Sequence, residues 1–199
     1  MLSKKTGILG GVFDPVHYGH LSAAVLAREY FGLDKVLFIP SGAPPHKTDV
    51  AASSSDRLNM LKLALNGIDG CEIWDGEINR EGYSYTIDTL RELDNLYKGA
   101  SDFYFIIGTD ILGEICKWHL YEEIVKTVTL CATYRPGHEF DRSCLPAFAK
   151  IETFPGPVWG ASSTMLREYM KNGRSCKFMI PDAVLTYIKD RGLYGYNAE

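Results

Sequence analysis

The chain has 199 residues, carries a formal net charge of −4, and draws about 26% of its residues from Leu, Ile, Val and Phe. A chain of that length buries roughly 70% of its unfolded surface, and its apolar share exceeds the roughly 20% below which disorder sets in. The charge excludes a broad basic face for nucleic acid. No apolar run reaches the roughly 18 residues of a membrane span. The stretch from Gly7 to Phe13 is cut short by Asp14, too early for a signal-peptide core and cleavage site. Five cysteines, an odd number with no Cys-x-x-Cys pair, argue against a disulfide framework. The expectation is a soluble, cytoplasmic, globular protein that acts on something small, without nucleic acid or membrane as partner.

Short β-rich runs alternate with helical patterns, the arrangement of a parallel α/β sheet. Thr6 to Val12 reads as the first strand and Tyr18 to Phe31 as the first helix. Lys35 to Ile39 is a second strand, closed by Pro40. Leu58, Leu61 and Leu65 mark one face of a second helix. Glu72 to Trp74 makes a short strand, and Ser84 to Tyr97 a helix with Ile87, Leu90 and Leu93 inward. Phe103 to Ile107 is uninterruptedly apolar, as a central strand covered on both faces must be. A helix around Leu120 to Val125, a strand at Val128 to Thr133 and a last strand at Lys150 to Phe154 follow. Met165, Leu166, Tyr169 and Met170 line one helix, and Val184, Leu185 and Ile188 the final one. The whole chain, residues 1–199, is expected to form a single doubly wound, Rossmann-like domain. Its helical segment from about 160 to 199 packs on the sheet. Ser41 to Ser55 and Arg135 to Pro146 read as loops.

In such a fold ligands gather at the carboxyl ends of the strands. The run Gly10-Gly11-Val12-Phe13-Asp14-Pro15-Val16-His17-Tyr18-Gly19-His20 stands at the first of those ends. Two glycines let the backbone come close to a ligand. His17 and His20, three apart, share a face of the first helical turn, where N–H groups and the helix dipole attract anions. Gly19 keeps bulk away from a phosphate. The bland alternative is a pair of structural histidines. Cys116-x-x-His119 is the sole zinc-like pair, and it has no third or fourth ligand at a suitable spacing. Further on, Ser162-Ser163-Thr164 precedes a helical pattern, so its hydroxyls could cap the helix and also donate to an anion. Arg167, one turn later, adds a forked donor.

Gly11-x-Phe13-Asp14-Pro15-x-His17-x-Gly19-His20 resembles the signature of the HxGH nucleotidyltransferase superfamily. Ala161-Ser162-Ser163-Thr164-Met165-Leu166-Arg167 resembles its second signature, Ile-Ser-Ser-Thr-x-Ile-Arg, departing at the two aliphatic positions. Over nearly the full length the chain looks like a bacterial nicotinate mononucleotide adenylyltransferase. Pro44-Pro45-His46-Lys47, Tyr83-Ser84-Tyr85-Thr86-Ile87-Asp88-Thr89-Leu90 and Ile107-Gly108-Thr109-Asp110 with Trp118 carry that likeness. Arg135-Pro136-Gly137 and the tail with Leu193-Tyr194 extend it.

The resemblance implies transfer of an adenylyl group from ATP to nicotinate mononucleotide, giving deamido-NAD and pyrophosphate in NAD biosynthesis. The mononucleotide phosphate would attack the α-phosphorus in line, with no covalent intermediate. It further implies that His20 meets the α-phosphate, that His17 supports the triphosphate, and that Ser163, Thr164 and Arg167 hold the β- and γ-phosphates. Gly10, Gly11, Phe13, Gly19 and Ser162 join them on the ATP side. Asp110 would accept from ribose hydroxyls, or else cap a helix. Lys47 would close over the phosphates. Trp118 would stack on the pyridine ring, and Thr86 at a helix start would donate to its carboxylate. Tyr85 and Arg135 are placed on the same side with their roles open. Mg²⁺ would enter with ATP, held mainly by its phosphates and by no metal site of the protein. A homo-oligomer stays open. The alternatives are transfer to another phosphate monoester, such as nicotinamide mononucleotide, and a nucleotide-binding module without turnover.

Overall fold

The computed structural model describes residues 4–44, 50–134, 142–156 and 160–196. The strands are β1 (Lys4–Gly11), β2 (Lys35–Pro40), β3 (Cys71–Ile73), β4 (Ser101–Gly108), β5 (Val128–Thr133) and β6 (Ile151–Phe154). They form one parallel sheet in the order β3-β2-β1-β4-β5-β6. That order reverses between β1 and β4, the strands paired at Ile8↔Phe105, and the reversal opens a crevice at their carboxyl ends. The Rossmann-like single domain expected from the sequence is what the chain forms.

The helices are α1 (Tyr18–Phe31), α2 (Ser54–Leu65), α3 (Gly76–Asn79), α4 (Thr86–Tyr97), α5 (Thr109–Leu112), α6 (Tyr121–Thr127), α7 (Ser163–Lys171) and α8 (Asp182–Asp190). α1 stops at Gly32, whose positive φ of 61° suits a residue without Cβ, and whose N–H bonds back to Arg28 and Glu29. The short helices α3 and α5 lack enough turns for a periodic signal and were not expected.

Alternate strand residues face two separate cores. Ile8, Leu37, Ile39, Phe105 and Ile107 join Ile87, Leu90 and Leu93 of α4 on one side. Leu9, Val36, Phe38 and Ile106 join Leu21 and Ala24 of α1, Met60 and Leu61 of α2, Leu166 and Met170 of α7, and Val184 and Ile188 of α8 on the other. Both faces are therefore dry, which is why the central strands read as continuous apolar runs.

The C-terminal helices are pinned across α2. Tyr187 donates to Asp56 Oδ1 at 2.9 Å, Asn59 Nδ2 donates to the Tyr187 hydroxyl at 3.1 Å, and Arg191 lies 3.4 Å from the same carboxylate. Among the described residues no helix is long and apolar enough to cross a membrane.

The cysteines correct the sequence reading. Cys116 and Cys144 are joined by a disulfide, 28 positions apart in the chain. Spacing in sequence could not show this, because the fold brings together the turn after α5 and the segment before β6. Cys116 is thereby removed as a metal ligand.

Candidate active site

A cleft of about 930 Å³ opens where the strand order reverses. Gly10 and Gly11 at the end of β1 form its floor beside Gly108 at the end of β4, and Phe13 supports it from below. A Cβ on Gly11 would press on the Phe13 ring at 3.2 Å, so a larger residue there would disturb the loop. Phe13 itself is buried and sits in the left-handed region, φ 53°.

His17 is the N-cap of α1. Its Nδ1 accepts from the Gly19 N–H at 3.1 Å, while its own N–H donates to His20 Nδ1 at 3.3 Å. The two rings lie 3.9 Å apart, and the edge of Phe13 supports His20 at 5.0 Å. A ring nitrogen that accepts carries no proton, so each neutral imidazole bears its hydrogen on Nε2. Both histidines line the cleft. The Gly19 N–H, taken up by His17, is not a donor for a ligand.

α7 delivers a second set of donors. Ser162 is its N-cap and accepts from the Met165 N–H at 3.2 Å, as a capping serine does. Ser163 donates to the Pro15 carbonyl at 3.0 Å, which ties α7 to the β1–α1 loop. Thr164 is exposed at the cleft edge. Arg167 Nη1 donates to the Asp14 carbonyl at 3.0 Å and stands 3.7 Å from the Asp14 carboxylate. Two helix N-termini, two imidazoles and a guanidinium thus converge on one volume. Such a set has the chemistry to hold a polyphosphate.

The opposite side of the cleft is aromatic. Trp118 is half-buried there, edge-on to Phe105 at 6.0 Å, and Tyr85 leans on His119 at 4.8 Å. The indole packs on the core near-perpendicular to the Phe105 ring and still lines the cleft. Tyr85 is the N-cap of α4 and Thr86 its first residue, so that helix start faces the same space. Asp110 also lines the cleft. It is the second residue of α5 and not its cap, which is Gly108. Lys47 and Arg135 lie outside the described residues.

Three supporting side chains escaped the sequence reading. Asp14, buried under the motif, accepts from the N–H groups of Ala51 and Ala52 at 2.8 and 3.1 Å and from Tyr194 at 2.6 Å. Arg57, fully buried, donates to the Val12 carbonyl at 2.8 Å and the Gly42 carbonyl at 3.3 Å, clamping the loops after β1 and β2. Burial pulls its guanidinium below the ordinary value, and Asp14 opposes that shift. An arginine on the same helical face as Met60, Leu61 and Ala64 was the available signal. Glu77, on the cleft wall, accepts from Thr89 Oγ1 at 2.6 Å, and burial raises its carboxyl above the usual range. Among the described residues no three His, Cys, Asp or Glu side chains gather as a metal site.

The cytidylyltransferase-like family model matches residues 8–169. A probable nicotinate-nucleotide adenylyltransferase of Oceanobacillus iheyensis is 39% identical over 193 residues, covering 97% of this chain and 98% of the relative. One from Dehalococcoides mccartyi is 40% identical over 201 residues, covering 98% of each. The Plasmodium falciparum nicotinic acid mononucleotide adenylyltransferase complexed with NaAD superposes with a TM-score of 0.82 at 22% identity, covering 98% of this chain and 100% of that one. At that identity the superposition speaks for the fold. The sequence relatives and the family model carry the assignment: the chain belongs to the cytidylyltransferase-like family and, within it, to the nicotinate-nucleotide adenylyltransferases.

Proposed function

We propose that the chain transfers the adenylyl group of ATP to nicotinate mononucleotide. The observation that carries this reading is one cleft with two chemically different sides. Phosphate donors come from α1 and α7, packed on one face of the sheet, and Trp118 with the start of α4 comes from the other face, so the two sets meet in the cleft from opposite sides. An oxygen of the mononucleotide phosphate bonds to the α-phosphorus, the bond from that phosphorus to the bridging β-oxygen breaks, and pyrophosphate leaves. The attacking oxygen is already ionised, so no base and no protein nucleophile are required. The residues then act by orientation and by stabilising charge that shifts onto the leaving group. His20 Nε2–H meets the α-phosphate, with His17 and Arg167 on the outer phosphates and Ser163 and Thr164 beside them. Asp110, past the end of β4, accepts from ribose hydroxyls. Mg²⁺ belongs to the substrate, carried by the ATP phosphates, since the donor set of the cleft suits phosphate oxygens rather than a cation.

On the acceptor side the indole face of Trp118 covers the pyridine ring. The N-terminus of α4 and the Thr86 hydroxyl favour a carboxylate there over an amide. Pyrophosphate release with MgATP and a panel of phosphate monoesters tests the reading. Release with nicotinate mononucleotide, and much less with the amidated form, is expected. Equal rates on both would remove the acid preference. ATP binding without any release would make the chain a binding module.

A further inference from the structure

The C-terminal turn holds a tyrosine that the proposed chemistry does not use. Tyr194 lies between Gly192 and Gly195 with φ 56° and ψ 18°, a left-handed conformation that residues with a Cβ disfavour. Its hydroxyl is directed inward and donates to Asp14 Oδ1 at 2.6 Å, across 180 positions of sequence. Burial pushes the phenol far above its ordinary value, so it stays protonated and can only donate to that carboxylate. Asp14 is filled on its other sides. Ala52 N–H shares Oδ1, Ala51 N–H takes Oδ2, and Arg167 stands 3.7 Å from Oδ2 while binding the Asp14 carbonyl at 3.0 Å. One aspartate therefore connects the tail, the start of α2 and the guanidinium of the phosphate side.

We propose that Tyr194 is a positioning residue for triphosphate binding, acting through Asp14 to set the place of the Arg167 guanidinium. The hydroxyl fixes the rotation of the carboxylate. The Asp14 carboxylate and the carbonyl of the same residue together hold one nitrogen of the guanidinium, Nη1. Strain at Tyr194, with Gly192 two positions before it and Gly195 directly after it to let the chain turn, is what brings a residue of the last turn into the first loop. This inference rests on Arg167 being a phosphate donor, but not on which acceptor the enzyme uses.

Tyr194→Phe deletes the hydroxyl and keeps the ring. Calorimetric titration with MgATP alone should show affinity weakened about three- to tenfold, on the scale of one ordinary hydrogen bond, because the hydroxyl reaches the guanidinium only through Asp14. The Michaelis constant for the mononucleotide should be unchanged. In an Arg167→Ala background the same substitution should cost nothing further, because the two act as one unit. Wild-type affinity in Tyr194→Phe would overturn the proposal, and so would full additivity with Arg167→Ala. A variant that melts far below wild type and loses both substrates alike would make Tyr194 a stability residue only, and would also overturn it. If the wild-type chain binds MgATP but does not adenylylate nicotinate mononucleotide, the acceptor assignment fails while the titration still decides the role of Tyr194.

Discussion

His17 and His20 hold each other in register. The N–H of the first donates to Nδ1 of the second at 3.3 Å, while Nδ1 of the first caps Gly19 at 3.1 Å. The consequence is chemical. Both rings carry their hydrogen on Nε2 and both line the cleft. A donor preorganised toward charge that develops in the transition state is worth about 3–4 kcal/mol. His20→Ala should therefore lower turnover by roughly 10²- to 10³-fold while MgATP affinity changes far less. Steady-state kinetics and a binding titration on the same variant check this, and near-wild-type turnover would remove His20 from the chemistry.

Arg167→Lys should not behave as a conservative change. One guanidinium nitrogen, Nη1, meets both the Asp14 carbonyl at 3.0 Å and the Asp14 carboxylate at 3.7 Å. A lysine could place one nitrogen there and keep the charge, but it loses the planar fork that suits phosphate oxygens. One lost charge-assisted hydrogen bond, about 1.5–3 kcal/mol, implies roughly ten- to hundredfold weaker ATP binding with the melting temperature nearly intact. Unchanged ATP affinity would show that the residue only braces the loop.

On the other side of the cleft, Trp118→Ala should raise the Michaelis constant for the mononucleotide and spare that for ATP. Stacking on an aromatic contributes about 1–3 kcal/mol per base in nucleic-acid sites, or roughly 5- to 150-fold. Thr86→Val should instead narrow the gap between acid and amide substrates. Competition kinetics on both variants separate the two effects. A loss confined to ATP would invert the assignment of the two sides of the cleft.

Glu77 sets a pH dependence. Burial, the largest influence, raises its carboxyl, and the Thr89 hydrogen bond opposes the shift only in part. The folded chain therefore keeps this proton to higher pH than the unfolded chain. The associated stability is fully present on the acid side and is lost as pH rises from the ordinary 4.5 through the folded value. Glu77→Gln keeps an acceptor for Thr89 without the buried charge. Its melting temperature should exceed that of wild type by about 2–4 °C at mildly alkaline pH and converge with it in acid. Parallel thermal curves across pH would contradict this.

The Cys116–Cys144 link closes a loop of 28 positions that contains Trp118, two residues after Cys116. Loop-closure entropy for such a span is about 3–4 kcal/mol. Replacing both cysteines with alanine should lower the melting temperature by roughly 5–15 °C at this chain size. The Michaelis constant for the mononucleotide should rise, with ATP kinetics little changed, because the segment carrying the indole loosens. Cys131 gives a built-in control. Its buried thiol is pushed up to about 12, so alkylation of the native chain should leave it untouched.

Much of this architecture was legible in residue order, because what wrote it there is local. Alternating faces of dry strands, the α1 run from Tyr18 to Phe31 and the β5 run from Val128 to Thr133 follow from periodicity and burial alone. The two motifs at the starts of α1 and α7 were equally plain, since a cap, a glycine and a histidine pair act within a single turn of helix. Asp14 was visible as a letter of its motif, but not as a hub. Its four partners come from Ala51, Ala52, Arg167 and Tyr194, and only the closed sheet brings them to one carboxylate. The same holds for Arg57, whose carbonyl acceptors belong to two loops, and for the disulfide, whose halves stand on separate segments. Sequence by itself determined the strands, the helices and the two helix-starting turns that line the cleft, whose causes lie within a few residues of one another. Tertiary structure alone decided which charges and hydroxyls share a buried point, because burial makes such pairings strong and distance along the chain does not predict them.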